Sequence, residues 1–293
     1  MDQLTFYLEV LSQKVLKDGG FSSKHGGDYR ADVTAWSILA LTAADVNSDI
    51  VESARRSLVN NQLDDGRLSI HREYPEVFWP TPLAIMAWQG ATEYRQPQLR
   101  AVRFLLKTTG IHWEKKQDFP EGHNTMIPGW SWVENSHSWV EPTALSLLAL
   151  QVTGFGQGKR AQEATKMLMD RMLPQGGWNY GNTFVFEKQL HPDPESTGVA
   201  LNALAGRVTS ESVQGSLDYL KTQVEQIRSP LSLGWGILGL GAWNLRPAKA
   251  QEWILESLQR QKQWGEYDSV QLALLLVAFQ VKGGITSLWD RKI

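Results

Sequence analysis

The stretch Leu173–Leu204, LPQGGWNYGNTFVFEKQLHPDPESTGVALNAL, decides how the rest of the chain is read. It opens with a Gly-Gly-Trp turn that closes a helical pattern. A loop rich in aromatics and acids follows. Pro194-Glu195-Ser196-Thr197 then starts a second helical pattern, with Val199, Leu201 and Leu204 at helical spacing. Related segments recur as ADVTAWSILALTA from Ala31, WPTPLAIMAWQG from Trp79 and VEPTALSLLALQV from Val140. They recur again as SPLSLGWGILGLGAW from Ser229 and YDSVQLALLLVAFQV from Tyr267. Four copies share a threonine, at Thr34, Thr81, Thr143 and Thr197, spaced 47, 62 and 54 residues apart. Recurrence at such periods marks a repeat architecture, in which each unit buries its apolar face only against its neighbours.

Each apolar helix is preceded by an amphipathic one. Leu4, Tyr7, Leu8, Leu11 and Val15 set the rhythm of the first, predicted over Gln3–Leu16 and stopped by Gly19-Gly20. The others are expected over Ser48–Gln62, Gln98–Thr109, Arg160–Leu173, Ser210–Gln226 and Pro247–Gln263. Twelve helices in six pairs follow. The mixed helix of each pair suits an outer ring and the apolar one an inner ring buried on both sides. No terminal repeat carries a polar cap, so a closed all-α (α/α)6 toroid is expected, with residues 1–293 as one domain. Outer-to-inner connections are long and inner-to-outer ones short. The working face is therefore expected at the N-terminal ends of the inner helices, where the helix dipoles are positive.

Composition narrows the function. The 293 residues are 42% hydrophobic and 20% charged, with a net charge of -2 and no cysteine. Interleaved charges argue against a nucleic-acid face, and the missing thiols exclude disulfides, thiolate zinc and cysteine nucleophiles. The N-terminal residues do not read as a signal peptide, and no apolar run reaches the roughly 18 residues of a membrane span. A cytoplasmic protein is expected, with nothing to indicate contact with a membrane surface.

The candidate chemistry gathers before the inner helices. Asp193 and Glu195 read either as helix-capping acids or as a general acid with a supporting carboxylate. Asp32, Glu141 and Asp268 occupy similar positions in other repeats. The thirteen tryptophans are the compositional oddity. Trp79, Trp113, Trp130, Trp132, Trp139, Trp178, Tyr180, Trp235 and Trp264 read either as packing for the turns or as faces for a cation or a sugar. His137, Glu141 and His191 could be drawn together around a metal, but their spacing is not diagnostic. Neither metal nor cofactor is expected.

Repeated Gly-Gly-Trp turns leading into Thr-x-x-Ala-Leu helices resemble the terpenoid cyclase and protein prenyltransferase toroids, in particular one domain of the squalene–hopene cyclases. Their repeat reads Gln-x3-Gly-x-Trp. Gly176-Gly177-Trp178 keeps the Gly-x-Trp with Met172 in place of Gln; Gln62-x3-Gly66-Arg67-Leu68 keeps Gln and Gly; Gly19-Gly20-Phe21 keeps Gly and an aromatic. Asp193-Pro194-Glu195-Ser196-Thr197 stands where the cyclases carry Asp-x-Asp-Asp-Thr. The resemblance implies acid-initiated cyclisation or isomerisation of an isoprenoid. Glu195 would be the acid, Asp193 its partner, and Trp132, Trp178 and Tyr180 would shape a pocket also reached by Trp79, His137, Trp139, Glu141, His191 and Trp235. A carbohydrate-active hydrolase or lyase and a non-catalytic binding module are the alternatives. The first of these predicts an open polar cleft with facing carboxylates, the isoprenoid reading an enclosed apolar chamber, and the module no convergent acids.

Overall fold

A computed structural model describes residues 2–46, 48–114 and 122–290. Six inner helices form the frame: α2 (Ala31–Ala44), α4 (Thr81–Trp88), α6 (Val140–Val152), α8 (Pro194–Leu204), α10 (Pro230–Ala242) and α13 (Ser269–Gln280). Each packs on the next, and α13 packs on α2, so the ring closes. Around them lie α1 (Gln3–Ser12), α3 (Ser48–Asn60), α5 (Arg95–Lys107), α7 (Lys159–Asp170), α9 (Gln214–Gln226), α11 (Ala250–Gln259) and the short α12 (Gln261–Trp264). The chain is an all-α (α/α)6 toroid. One two-stranded hairpin, β1 (Phe184–Val185) with β2 (Lys188–Gln189), stands in the loop before α8. Among the described residues no helix is long and apolar enough to cross a membrane.

The two rings differ as their compositions require. In α2 twelve of fourteen residues are buried, including Asp32, Thr34 and Ser37; in α7 only Ala161, Ala164, Met167 and Leu168 are, one stripe in twelve residues. Small residues set the closest approach. A Cβ at Gly198 of α8 would lie 2.5 Å from the backbone carbonyl of Trp235 in α10, and one at Gly239 would lie 2.6 Å from the Gly198 oxygen. Inside the ring, Trp36 of α2 meets Trp235 edge-on at 5.5 Å, and both are nearly inaccessible (4% and 2%). The middle of the ring is filled by side chains.

The shared threonine is the pin of the repeat. Thr34, Thr81, Thr143 and Thr197 each accept, at Oγ1, a backbone N–H from the loop before their helix, at 2.9–3.0 Å: Phe21, Leu68, Trp130 and Trp178 respectively. These four donors are all fully buried. The two indoles among them anchor further, donating to the Leu105 and Leu168 carbonyls of the preceding outer helix at 3.0 and 2.6 Å. The repeat glycines Gly19, Gly66 and Gly176 have φ of 86°, 96° and 88°. A side chain there would meet the backbone of the next outer segment as well (Ser53, Arg100, Gly215), so only glycine suits.

Several outer boundaries depart from the periodicity, the last expected helix, Pro247–Gln263, being split into α11 and α12. α1 stops at Ser12 rather than Leu16, because the Leu16 N–H is taken by the Gly20 carbonyl (2.7 Å) and Val15 pairs with Phe21. The helix expected from Ser210 begins with a short 3-10 turn, Glu211–Val213, before α9. The seam between first and last repeats is tied by polar bonds: Tyr7 to the Leu258 carbonyl (2.9 Å), Lys14 to the Tyr267 carbonyl (3.2 Å) and Ser269 to the Ser22 carbonyl (2.7 Å).

Candidate active site

All four threonine pins lie in the first turns of inner helices, so the long loops gather over one rim. Two residues before the threonine stand Asp32, Trp79, Glu141 and Glu195. Register thus places Glu141 and Glu195 at equal height on the adjoining helices α6 and α8. The acids at this rim have different surroundings. Asp32 is neutralised by a bidentate pair with Arg30 (3.1 and 2.7 Å). Asp268 completes a capping box with Gln271. Asp193 caps α8, accepting the Ser196 N–H at 2.8 Å through one oxygen; its other oxygen is buried without a partner among the described residues. Glu141 and Glu195 have no hydrogen-bond or ion-pair partner among the described residues.

Confinement and mutual repulsion therefore decide their protonation. Burial pushes the Glu141 carboxyl up to about 8, helped by the negative charges of Glu195 and Asp193. Burial likewise raises Glu195 to about 7, with Asp193 adding to it. Asp193 is also raised by burial, against the pull of its capping bonds. The acids interact, so they titrate as a group and not as separate sites. At neutral pH the cluster keeps a proton while part of it is charged, as an acid–base pair requires. The Tyr180 phenol is raised first by the charge of Asp193, then by burial and by the charges of Glu195 and Glu141, and it remains 58% exposed.

A strap of four residues joins the two acid-bearing helix starts. Trp178 pairs with Asp193, whose N–H donates to the Trp178 carbonyl at 2.9 Å. Two residues on, the Tyr180 carbonyl accepts the Val140 N–H at 2.9 Å, and the Gly181 carbonyl accepts from Arg171 at 2.6 Å. Trp139 lies against Gly181 of the strap, and further aromatics pair along the rim loops. Trp79 and Trp132 meet edge-on at 5.4 Å. His137 lies against Trp139 at 4.2 Å and Trp113 at 6.1 Å; burial, and then the charge of Arg171, lowers its pKa and keeps it neutral.

The other expected site residues are placed differently. Trp178 is fully buried with its indole N–H satisfied, so it fixes the turn and cannot touch a ligand. Trp235 is likewise covered, wedged against Trp36 and the backbone of Gly198. Trp130 is buried and stacked under Arg160, whose guanidinium lies 3.9 Å from the ring centroid. His191 is exposed on the rim, and Trp264 is exposed at the end of α12. No group of three or more His, Asp or Glu able to hold a metal occurs among the described residues, so His137, Glu141 and His191 do not form one. Residues 115–121 of the longest loop lie outside the described residues. A groove of about 810 Å³ between Gln62 and Glu134 holds none of the three acids, and Arg67 spans it with ion pairs to Asp65 (2.7 Å) and Glu134 (3.0 Å).

The sequence placed Glu141 in the register of the Asp193/Glu195 pair and read it as a cap, a binding residue or a metal ligand, and not as a partner of Glu195. Arg171 and Tyr219 were missed. Tyr219, on α9, donates to the Pro192 carbonyl at 2.8 Å and holds the approach to Asp193. Neither carries a sequence signal, because both reach the site from outer-ring segments.

No family model matches the chain, and no curated protein matches it in sequence. Solved structures share its fold. An alpha-amylase from Clostridium perfringens superposes with a TM-score of 0.62 at 14% identity, over 94% of this chain and 96% of that one. A type II terpene cyclase from Scytonema, in complex with geranylgeranyl dihydroxybenzoate, gives 0.60 at 12%, over 95% and 98%. An alpha-1,6-mannanase from Salegentibacter gives 0.59 at 13%, over 95% and 98%. At these identities the likeness is one of fold, and function has to be argued from the site.

Proposed function

We propose that this single toroid is a carbohydrate-active hydrolase, with Glu141 and Glu195 as its acid–base pair at an open, aromatic-flanked mouth. One observation carries the reading: two partly accessible carboxyls without partners among the described residues, at the same register on adjoining helices, where burial raises both above the ordinary carboxylate range. Protonating an alkene demands a strong acid, and burial beside other carboxylates moves these groups the opposite way. Protonating a departing glycosidic oxygen demands a general acid that titrates near the working pH, with a second carboxylate beside it. The cluster shares one proton near neutral pH, so one of Glu141 and Glu195 serves as the acid and the other as the base or nucleophile. Asp193 repels charge on both and so keeps the proton in place. Trp79, Trp132, Trp139 and Tyr180 offer ring faces to sugar C–H faces.

The filled middle of the ring supports the same choice. An isoprenoid folded for cyclisation needs an apolar chamber, and Trp36 and Trp235 occupy the space where the ring would provide one. The cyclase reading retains one support, the first-turn position of Glu195 behind Asp193. Both readings are tested together. Release of reducing ends is measured on soluble glucans and mannans, and product formation on squalene and on geranylgeranyl substrates. Glu141→Gln and Glu195→Gln should each lower glycan hydrolysis by about a hundred- to ten-thousandfold. Cyclised product lost on Glu195→Gln, with no glycan cleaved, would replace the hydrolase by the cyclase.

A further inference from the structure

The loop between the buried Trp178 and the cap Asp193 carries a feature the acid pair does not use. Its hairpin pairs Phe184 with Gln189 and Val185 with Lys188, so the turn consists of Phe186 and Glu187. Both turn residues have positive φ, 49° and 62°. Such two-residue turns are normally made by Asn-Gly or Asp-Gly, and a bulky residue at positive φ is an outlier. Phe186 is also 94% exposed, more than any other large apolar side chain described. An unfavourable backbone thus presents an unfavourably hydrated ring. Strained, exposed residues of this kind concentrate where a ligand is met.

The hairpin is held firmly at its base. Leu190 donates to the Thr183 carbonyl at 3.0 Å, and Gln175 donates to the Leu190 carbonyl at 3.1 Å. The Gln189 amide donates to the Gln175 side chain, and Thr183 Oγ1 lies 3.3 Å from His123 Nδ1. Glu187 and Asp193 are six positions apart, so the tip stands within about 20 Å of the acids by chain length. Tyr180, in the same loop, supplies an open ring nearer to them. The tip's flanking charges, Glu187 and Lys188, cancel, so it lacks the basic cluster that brings a loop to an anionic membrane.

We infer that Phe186 is a distal subsite for a neutral polysaccharide, stacking on a sugar ring several units from the bond cleaved. This rests on the glycan reading of the mouth, and it makes the preferred substrate a polymer and not a short oligosaccharide. The test is affinity electrophoresis of the full chain in native gels containing soluble mannan or starch, which reads binding apart from turnover. Phe186→Ala should weaken retardation by about three- to tenfold, the worth of one aromatic stacking contact. Phe186→Trp should preserve it, and the melting temperatures of both should match the parent. Equal retardation of parent and Phe186→Ala, or no retardation of the parent by either polymer, would overturn the subsite. So would parent chains that sediment with phosphatidylcholine–phosphatidylserine vesicles while Phe186→Ala does not, which would make the tip a membrane contact. Retardation that depends on Phe186 without any hydrolysis would keep the subsite and remove the hydrolase.

Discussion

Replacing Glu141 with glutamine should make the protein more stable, by an amount that grows as pH rises from 4.5 to about 8. The carboxyl has an ordinary value of 4.5 and stands at about 8 in the folded chain. Between those values the folded state holds a proton that the unfolded chain has released, so rising pH favours unfolding across that window. Below pH 4.5 both states are protonated and no penalty exists; above 8 it is complete. At about 1.4 kcal/mol per pH unit, the upper limit is on the order of 5 kcal/mol. Glu141 keeps some contact with water, and its titration is shared with Glu195 and Asp193, so about 2–3 kcal/mol is the working figure. Glutamine has nearly the same shape and never ionises. Urea unfolding at pH 4.5 should give equal midpoints for parent and Glu141→Gln. At pH 9 the variant should be ahead by that amount. A difference unchanged between the two pH values would show that Glu141 titrates as an ordinary surface acid, and the acid–base pairing would fall with it.

Two further substitutions test the frame that holds the pair. Thr143→Val keeps the shape but leaves the Trp130 N–H without its buried acceptor, now at 2.9 Å, while the Trp130 carbonyl loses a 3.4 Å contact and keeps the Trp139 N–H at 2.9 Å. The expected loss is about 1–3 kcal/mol, read as a lower urea midpoint, with a change under about 0.5 kcal/mol counting against the pin. Gly198→Ala puts a methyl 2.5 Å from the Trp235 backbone and forces α8 from α10. It should cost at least about 2 kcal/mol and alter native tryptophan fluorescence, because Trp36 and Trp235 would no longer pack as they do.

Much of this frame was legible because its parts are local. The threonine and the loop residue that it pins are thirteen residues apart in three of the four repeats, within one supersecondary unit. The glycines before them must take positive φ wherever the turn occurs. Inner and outer helices separate by pattern alone, since one kind is apolar all round and the other on a stripe. What stayed hidden depends on which units the closed ring makes neighbours. Trp36 and Trp235 lie 199 positions apart and meet only because α13 brings α2 and α10 together. Arg171 and Tyr219 act on the mouth from outside, and no periodicity marks them. Trp178 stood among the substrate-contacting candidates because an aromatic beside acidic residues looks functional, whereas its buried N–H bonds show it to be the peg of its own turn.

The division of labour among the rim acids follows from the same geometry. A carboxylate in the first turn of a helix is favoured by the dipole and by free backbone N–H groups, so recurrence at that register is what helix chemistry alone produces. Asp32 and Asp268 satisfy that rule through Arg30 and through a capping box. Glu141 and Glu195 break it: they occupy the stabilising position, yet have no partner among the described residues and are pushed upward in pKa by confinement and by neighbouring carboxylates, Glu141 by Glu195 and Asp193 and Glu195 by Asp193. Holding unpaired, mutually repelling acids side by side costs stability, and the strap from Trp178 to Gly181 ties their helices together against that repulsion. A capping role would not require two such acids on adjoining helices. A reaction that must give a proton at one atom and take one at another would.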